Sequence, residues 1–301
     1  MDRIDTTAIM DELKRIVEYI MTPSTPVFVV GFLIVLFVPL LIHFLITHTT
    51  PYTTLSSIIL AGPSGSGKTS LLTLLERGDA SAPTHTSQAA HAIELTVSTD
   101  GGAPTFREAA RDDAPGKHRK FLLVDTPGHG KLRGAALGRL SRGEESKAKR
   151  GQGLKGVVFV VDAAALAEDA RDAAAYLYDV LLALQRRAGA GKSARRPDAV
   201  PVLIAANKND LFTALPAALV KSALEAELGR IRQSRSKGLL DSGVGIDDIG
   251  SEEQDGWVGE YGSEKFSFAQ MREFDIDVQV LGGSVLGGKV DKWWDWIAEL
   301  I

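Results

Sequence analysis

The chain has 301 residues, enough for one large domain or two modest ones, and 45% of them are hydrophobic, which is ample for a core. A formal net charge of −4 carries no global nucleic-acid signature, and the absence of cysteine excludes a disulfide framework while suiting a domain that faces a reducing compartment. Within residues 1–26, Ile9, Leu13, Ile16, Val17 and Ile20 recur at helical spacing among Asp11, Glu12, Lys14, Arg15 and Glu18. That pattern predicts a short amphipathic helix on or before a membrane surface, with a frayed terminus as the alternative. Pro23 and Pro26 interrupt it.

Residues 27–47 read VFVVGFLIVLFVPLLIHFLIT, without a formal charge and with only Gly31, Pro39 and His43 to soften the run. At about 1.5 Å per residue such a helix spans roughly 30 Å, the thickness of a bilayer's hydrocarbon core. The reading is one transmembrane helix. A cleaved signal sequence is disfavoured by the length of the run, and a buried core helix by its being apolar all round. Near the end of a lone span, His43 sits close to the interface without a role. Arg3, Lys14 and Arg15 precede the span and no basic residue follows until Lys68, so a literal charge count puts the N-terminus in the cytosol. A large domain after the span follows such a count poorly and overrides it. Residues 48–56 are then a short linker and 57–301 the globular part.

The apolar run Ser57-Ile58-Ile59-Leu60-Ala61 leads into Gly62-Pro63-Ser64-Gly65-Ser66-Gly67-Lys68-Thr69, followed by Ser70-Leu71-Leu72-Thr73-Leu74-Leu75. Strand, glycine-rich loop and helix in that order make a phosphate cradle, because glycines let backbone amides crowd around phosphate oxygens at a helix N-terminus. Lys68 reaches the β- and γ-phosphates and the Thr69 hydroxyl ligates Mg²⁺ in such a loop. One helix later comes a polar loop with Thr84 and Thr86, where switch GTPases place a γ-phosphate sensor; Thr86 is the first choice and Thr84 the second. A strand follows at 92–97.

After a polar loop at 98–119, the strand Lys120-Phe121-Leu122-Leu123-Val124 ends in Asp125-Thr126-Pro127-Gly128-His129. Asp125 there belongs to the Mg²⁺ shell, the Gly128 amide meets the γ-phosphate, and His129 stands where a water-orienting residue belongs, with a plain surface histidine as the alternative. Residues 131–155 are basic and read as a solvated helix face or as a surface for anionic lipid or an acidic partner. The β-branched run 156–162 is a strand covered on both faces, and 163–187 a helix. A last strand pair frames the base site: 200–206 ends in Asn207-Lys208-Asn209-Asp210, and 276–281 runs into Gly282-Gly283-Ser284-Val285. The Asp210 carboxylate accepts guanine's N1–H and N2 amino pair, which adenine does not present. Lys208 lies along the base plane and Asn207 braces the loop or meets the base. A helix is expected at 214–233 and an acidic, glycine-rich, loosely ordered insertion at about 234–262. The final helix, 290–301, puts Trp293, Ile297 and Leu300 on one core-facing side.

Alternating strands and helices with every motif at a strand end predict an α/β class, a doubly wound, mostly parallel sheet of the P-loop G-domain kind, preceded by one transmembrane helix. The set GPSGSGKT, DTPGH and NKND behind a single span, with Thr84-His85-Thr86-Ser87 and the run from Leu122 to Arg133, resembles the signal recognition particle receptor β-subunit family, over roughly 27–301. That resemblance implies an endoplasmic reticulum membrane GTPase, related to the Arf and Sar group, whose GTP form holds a peripheral α subunit through that subunit's N-terminal domain. It implies GTP/GDP and Mg²⁺ as ligands. Gly62, Ser64, Gly65, Ser66, Gly67, Lys68, Thr69, Ser70, Thr86 and Gly128 would be on the phosphates, Thr69, Thr86 and Asp125 on the metal, and Asn207, Lys208, Asp210 and Ser284 on the base. His129 is the one catalytic candidate. Ser284-Val285 departs from the family's Ser-Ala turn. Ribosome or translocon contacts stay open, and no direct nucleic-acid contact is expected. Competing readings are a motor or transporter-associated ATPase, another trafficking GTPase, and a module that holds GTP without turning it over.

Overall fold

The computed structural model describes residues 10–12, 14–15, 17–18, 25–49, 55–78, 83–98, 118–141, 153–168, 170–190, 199–241, 257–259 and 265–301. These fall into two compact units, Met1–Thr53 and Thr54–Ile301. In the first, helix α1 (Thr25–Thr49) carries the apolar run, with Phe28, Phe32, Val35, Leu41 and Phe44 all more than half exposed. Its side chains are described without a break only over 31–45, and among the described residues no helix is long and apolar enough to cross a membrane. The expected amphipathic segment lies largely outside the described residues.

The second unit is a six-stranded sheet, β2-β3-β1-β4-β5-β6, built from β1 (Ser56–Ala61), β2 (His91–Ser98), β3 (His118–Asp125), β4 (Leu154–Asp162), β5 (Val202–Asn207) and β6 (Val278–Gly282). All neighbours are parallel except β2, which runs antiparallel to β3 at the edge. Helices α2 (Lys68–Arg77), α3 (Arg133–Ser141), α4 (Ala170–Ala190), α5 (Ala217–Asp241) and α6 (Asp291–Leu300) cover it. Residue parity decides which face each strand residue meets. Val157, Phe159 and Val161 of β4 join Ile204 of β5 in the core under α4 and α5, whereas Val158 and Val160 join Leu203 in the core under α2 and α6. Both cores are continuous because central strands buried on two faces need no polar positions.

Trp293, Trp294 and Trp296 of α6 are buried in the second core, as the packing reading expects. Helix α5 extends to Asp241, eight residues past the expected end at 233, and so takes over the start of the expected insertion. Residues 242–256 lie outside the described set, but Trp257–Gly259 is pinned: Gln185 of α4 donates to the Trp257 carbonyl and accepts from the Gly259 amide, both at 2.9 Å.

Candidate functional site

Parallel strands point their carboxyl ends the same way, so β1, β3, β4 and β5 deliver their terminal loops to one edge. Leu60 pairs with Asp125, Asp162 with Asn207 and Ala206 with Gly282, which aligns the three motif loops side by side. Among the described buried polar side chains, Ser66, Lys68, Asp125, Thr126, Asn207 and Ser284 all lie at this edge. Polar groups survive burial only where partners await them.

Helix α2 starts after Gly67 in a left-handed conformation (φ 98°) with no side-chain cap. Its first turn therefore offers backbone amides to an anion. A Cβ at Gly67 would strike the Asn207 side-chain amide, so both its φ and its neighbour demand glycine. Ser64, Gly65, 67–70, 84–87 and Gly128 line one cleft above that turn. Gly128 closes against the loop so tightly that a Cβ there would lie 2.6 Å from the Pro63 carbonyl carbon and from the Ser64 nitrogen. Lys68 is nearly buried and its Nζ donates to the Pro63 carbonyl at 2.8 Å. Burial lowers its pKa to about 8, with Asp125 raising it in part and Arg133 lowering it further.

Thr69 Oγ1 donates to Asp125 Oδ2 at 2.8 Å, Ser87 Oγ donates to the same oxygen at 2.7 Å, and the two hydroxyls lie 2.8 Å apart. Asp125 Oδ1 is buried with no hydrogen-bond partner among the described residues. Two hydroxyls and a carboxylate with a spare oxygen form a hard, oxygen-only donor set, which fits Mg²⁺ shared with phosphates. Among the described residues no cluster of three or more His, Cys, Asp or Glu side chains could hold a metal alone. Of the switch hydroxyls, Ser87 and not Thr86 bonds to the carboxylate. Thr86 lines the cleft, and Thr84 lies 3.0 Å from the Ser70 hydroxyl. Ser87 thus stands beside Thr86 and Thr84 as a candidate hydroxyl of this loop.

His129 is exposed and is not among the cleft-lining residues. Its Nδ1 accepts from the Lys131 amide at 3.4 Å, capping the short turn Gly130–Leu132. In the purine-side loops, Asn207 donates to the Ser66 carbonyl at 2.8 Å and accepts from the Val285 amide at 3.0 Å, tying the phosphate loop to the turn after β6. It braces both loops. Lys208, held at φ 64°, pairs with Asp162, whose Oδ1 also accepts from the Ala164 amide at 3.0 Å. Asp162 ends β4 as Asp125 ends β3, a signal that the sequence reading left unused. Ser284 Oγ donates to Asp210, aiming that carboxylate.

A family model for the signal recognition particle receptor beta subunit matches residues 53–274. The Saccharomyces cerevisiae signal recognition particle receptor subunit beta is 33% identical over 245 residues, 81% of this chain and 83% of that protein. The Homo sapiens protein of the same description is 33% identical over 173 residues, 57% of this chain and 52% of that protein. Among solved structures, the Chaetomium thermophilum SRb-GTP/SRX complex is matched at TM-score 0.68 and 42% identity, over 81% of this chain and all of that one. SRb-GDP of the same organism is matched at 0.60 and 45% identity, over 83% and all. A family model spanning most of the chain, together with a relative of that identity and coverage, shows that the chain belongs to the signal recognition particle receptor beta subunit family.

Proposed function

We propose that this chain is a membrane-anchored GTP-binding switch that holds the receptor's alpha subunit at the endoplasmic reticulum membrane for co-translational targeting. The observation that carries the reading is the cleft above α2, whose amides, Lys68 and Asp125–Thr69–Ser87 cluster fit a metal-bound triphosphate, beside Asp210 and Ser284 for guanine. Solved relatives described as SRb-GTP/SRX, SRb-GDP and SRb-GDP-Mg support the ligands and the partner. For the anchor, the support is the uncharged run 27–47 and its exposed apolar helix. Such a helix in water would leave an apolar surface far beyond what soluble proteins tolerate.

The first-turn amides of α2 and Lys68 bind the phosphate oxygens, and Gly128, pressed on the loop, turns its amide to the terminal one. Thr69, Asp125 and Ser87 would hold Mg²⁺, which neutralises charge developing on the β- and γ-phosphate oxygens. His129 Nδ1 accepts from the Lys131 amide, outside the residues that line the cleft. Among the described residues no arginine lines the cleft, and slow turnover by the chain alone is expected on that basis, an added guanidinium being worth about 10³- to 10⁵-fold.

The full chain in liposomes, loaded with GTPγS or GDP and offered the alpha subunit's N-terminal domain, tests this reading. Capture by the GTPγS form only, and loss of flotation on deleting residues 25–49, are the expected results. Equal capture in both states overturns the switch, and flotation of the deleted chain overturns the anchor. Proton linkage gives a separate check. Triphosphate favours charged Lys68, which in the free protein loses its proton as pH rises through about 8. Affinity should thus be flat below that pH and fall by up to about tenfold per unit above it. Calorimetry at pH 9 in buffers of different ionisation enthalpy should read proton uptake on binding; none would place Lys68 outside the phosphate contact.

A further inference from the structure

Beside Gly128 sits a guanidinium that phosphate binding does not use. Arg133, at the start of α3, donates Nε–H to the Gly128 carbonyl at 3.0 Å. Its terminal nitrogens form a fork on Asp172 in the first turn of α4, at 3.0 Å to Oδ1 and 2.6 Å to Oδ2. The guanidinium carbon lies 4.5 Å from the centre of the fully buried Tyr176 ring. Arg133 is 14% exposed and Asp172 50%, so water competes mainly on the carboxylate side. Planar donors directed at two oxygens, a carbonyl and a ring face hold one orientation, which a lysine ammonium does not reproduce.

Gly128 is thus gripped from two sides. The phosphate loop abuts its Cα, where a Cβ would lie 2.6 Å from Pro63 and Ser64 backbone atoms, and Arg133 holds its carbonyl. We infer that Arg133, braced by Asp172 and Tyr176, is a positioning residue that keeps Gly128 seated on the phosphate loop and thereby couples the N-terminus of α4 to recognition of the γ-phosphate.

The inference rests on the GTP-switch reading. With GTP bound, the Gly128 amide and the Gly128 carbonyl each need the same local backbone geometry, one for phosphate and one for Arg133. With GDP bound, nothing requires the Gly128 amide to stay seated, so the Gly128 carbonyl is free to leave Arg133. Arg133 therefore stabilises the GTP complex selectively, because a group shifts an equilibrium only through its differential interaction with the two states. The fork to Asp172 sets how firmly it does so, and a partner that draws on Asp172 or tilts α4 would release Gly128.

Equilibrium titration of the full chain in detergent with fluorescent GTPγS and GDP analogues, in Mg²⁺, tests this. Arg133→Ala and Arg133→Lys are each expected to weaken the triphosphate analogue by about tenfold and GDP by less than about twofold, the loss of one charge-assisted hydrogen bond. Asp172→Asn should weaken the triphosphate about threefold, and adding it to Arg133→Ala should change nothing further. A lysine variant that binds like the wild type, equal losses for both nucleotides, or an additive double variant overturns the positioning role. A wild-type chain that binds neither nucleotide overturns the switch reading itself, and the Arg133 role with it.

Discussion

Asp210→Asn is expected to move base preference from guanine to xanthine. Asp210 follows β5 and is aimed by the Ser284 hydroxyl, while the neighbouring Asn209 amide donates to the Gly283 carbonyl at 3.1 Å and ties the same two loops. The position of the carboxylate is thus set before any ligand arrives. Guanine offers it two donors, and hydrogen bonds to a charged acceptor contribute about 1.5–3 kcal/mol each. Asparagine presents one acceptor and one donor, which matches the N1–H and C2 carbonyl of xanthine and clashes with the guanine amino group. GTP affinity should fall by about 10²- to 10³-fold, and XTP affinity should rise to overtake it. Competition binding of GTP, XTP and ATP to both proteins reads this directly. Unchanged GTP affinity would remove Asp210 from the base site.

The second large effect is expected at Asp125. Its Oδ2 already accepts from Thr69 and Ser87, and its Oδ1 is the buried oxygen left for a cation. Asp125→Asn replaces an anionic ligand by an amide, so the Mg²⁺-dependent part of GTP affinity should drop by about 10²-fold or more, while binding in EDTA changes little. The same titration separates the switch hydroxyls. Ser87→Ala should lower the Mg²⁺-dependent affinity about tenfold, whereas Thr86→Ala should change it less than about twofold. The reverse order would make Thr86 the sensor and Ser87 a bystander.

Much of the sheet was legible because its central strands are buried on both faces and its motif loops follow strand ends. The β4 run from Val157 to Val161 has no position that faces water, and its local pattern has one solution. The direction of β2 was not legible: its local sequence serves either pairing, and the connection from 99 to 117 is long enough for both. Helix α5 was cut short at 233 because the glycine and acidic residues beyond it weaken propensity, yet the helix continues through Arg235, which pairs with Asp179 of α4 at 2.8 Å and lies over Tyr178. Within the site, glycine and lysine positions were readable from spacing. Ser87, Asp162 and the Arg133–Asp172 fork were not, because each depends on a partner remote in sequence.

Asn207 couples two of the loops at the site. One carboxamide spans the cradle at Ser66 and the turn at Val285, so neither end of the cavity relaxes by itself. A displacement of the turn after β6 would therefore also pull on the cradle at Ser66.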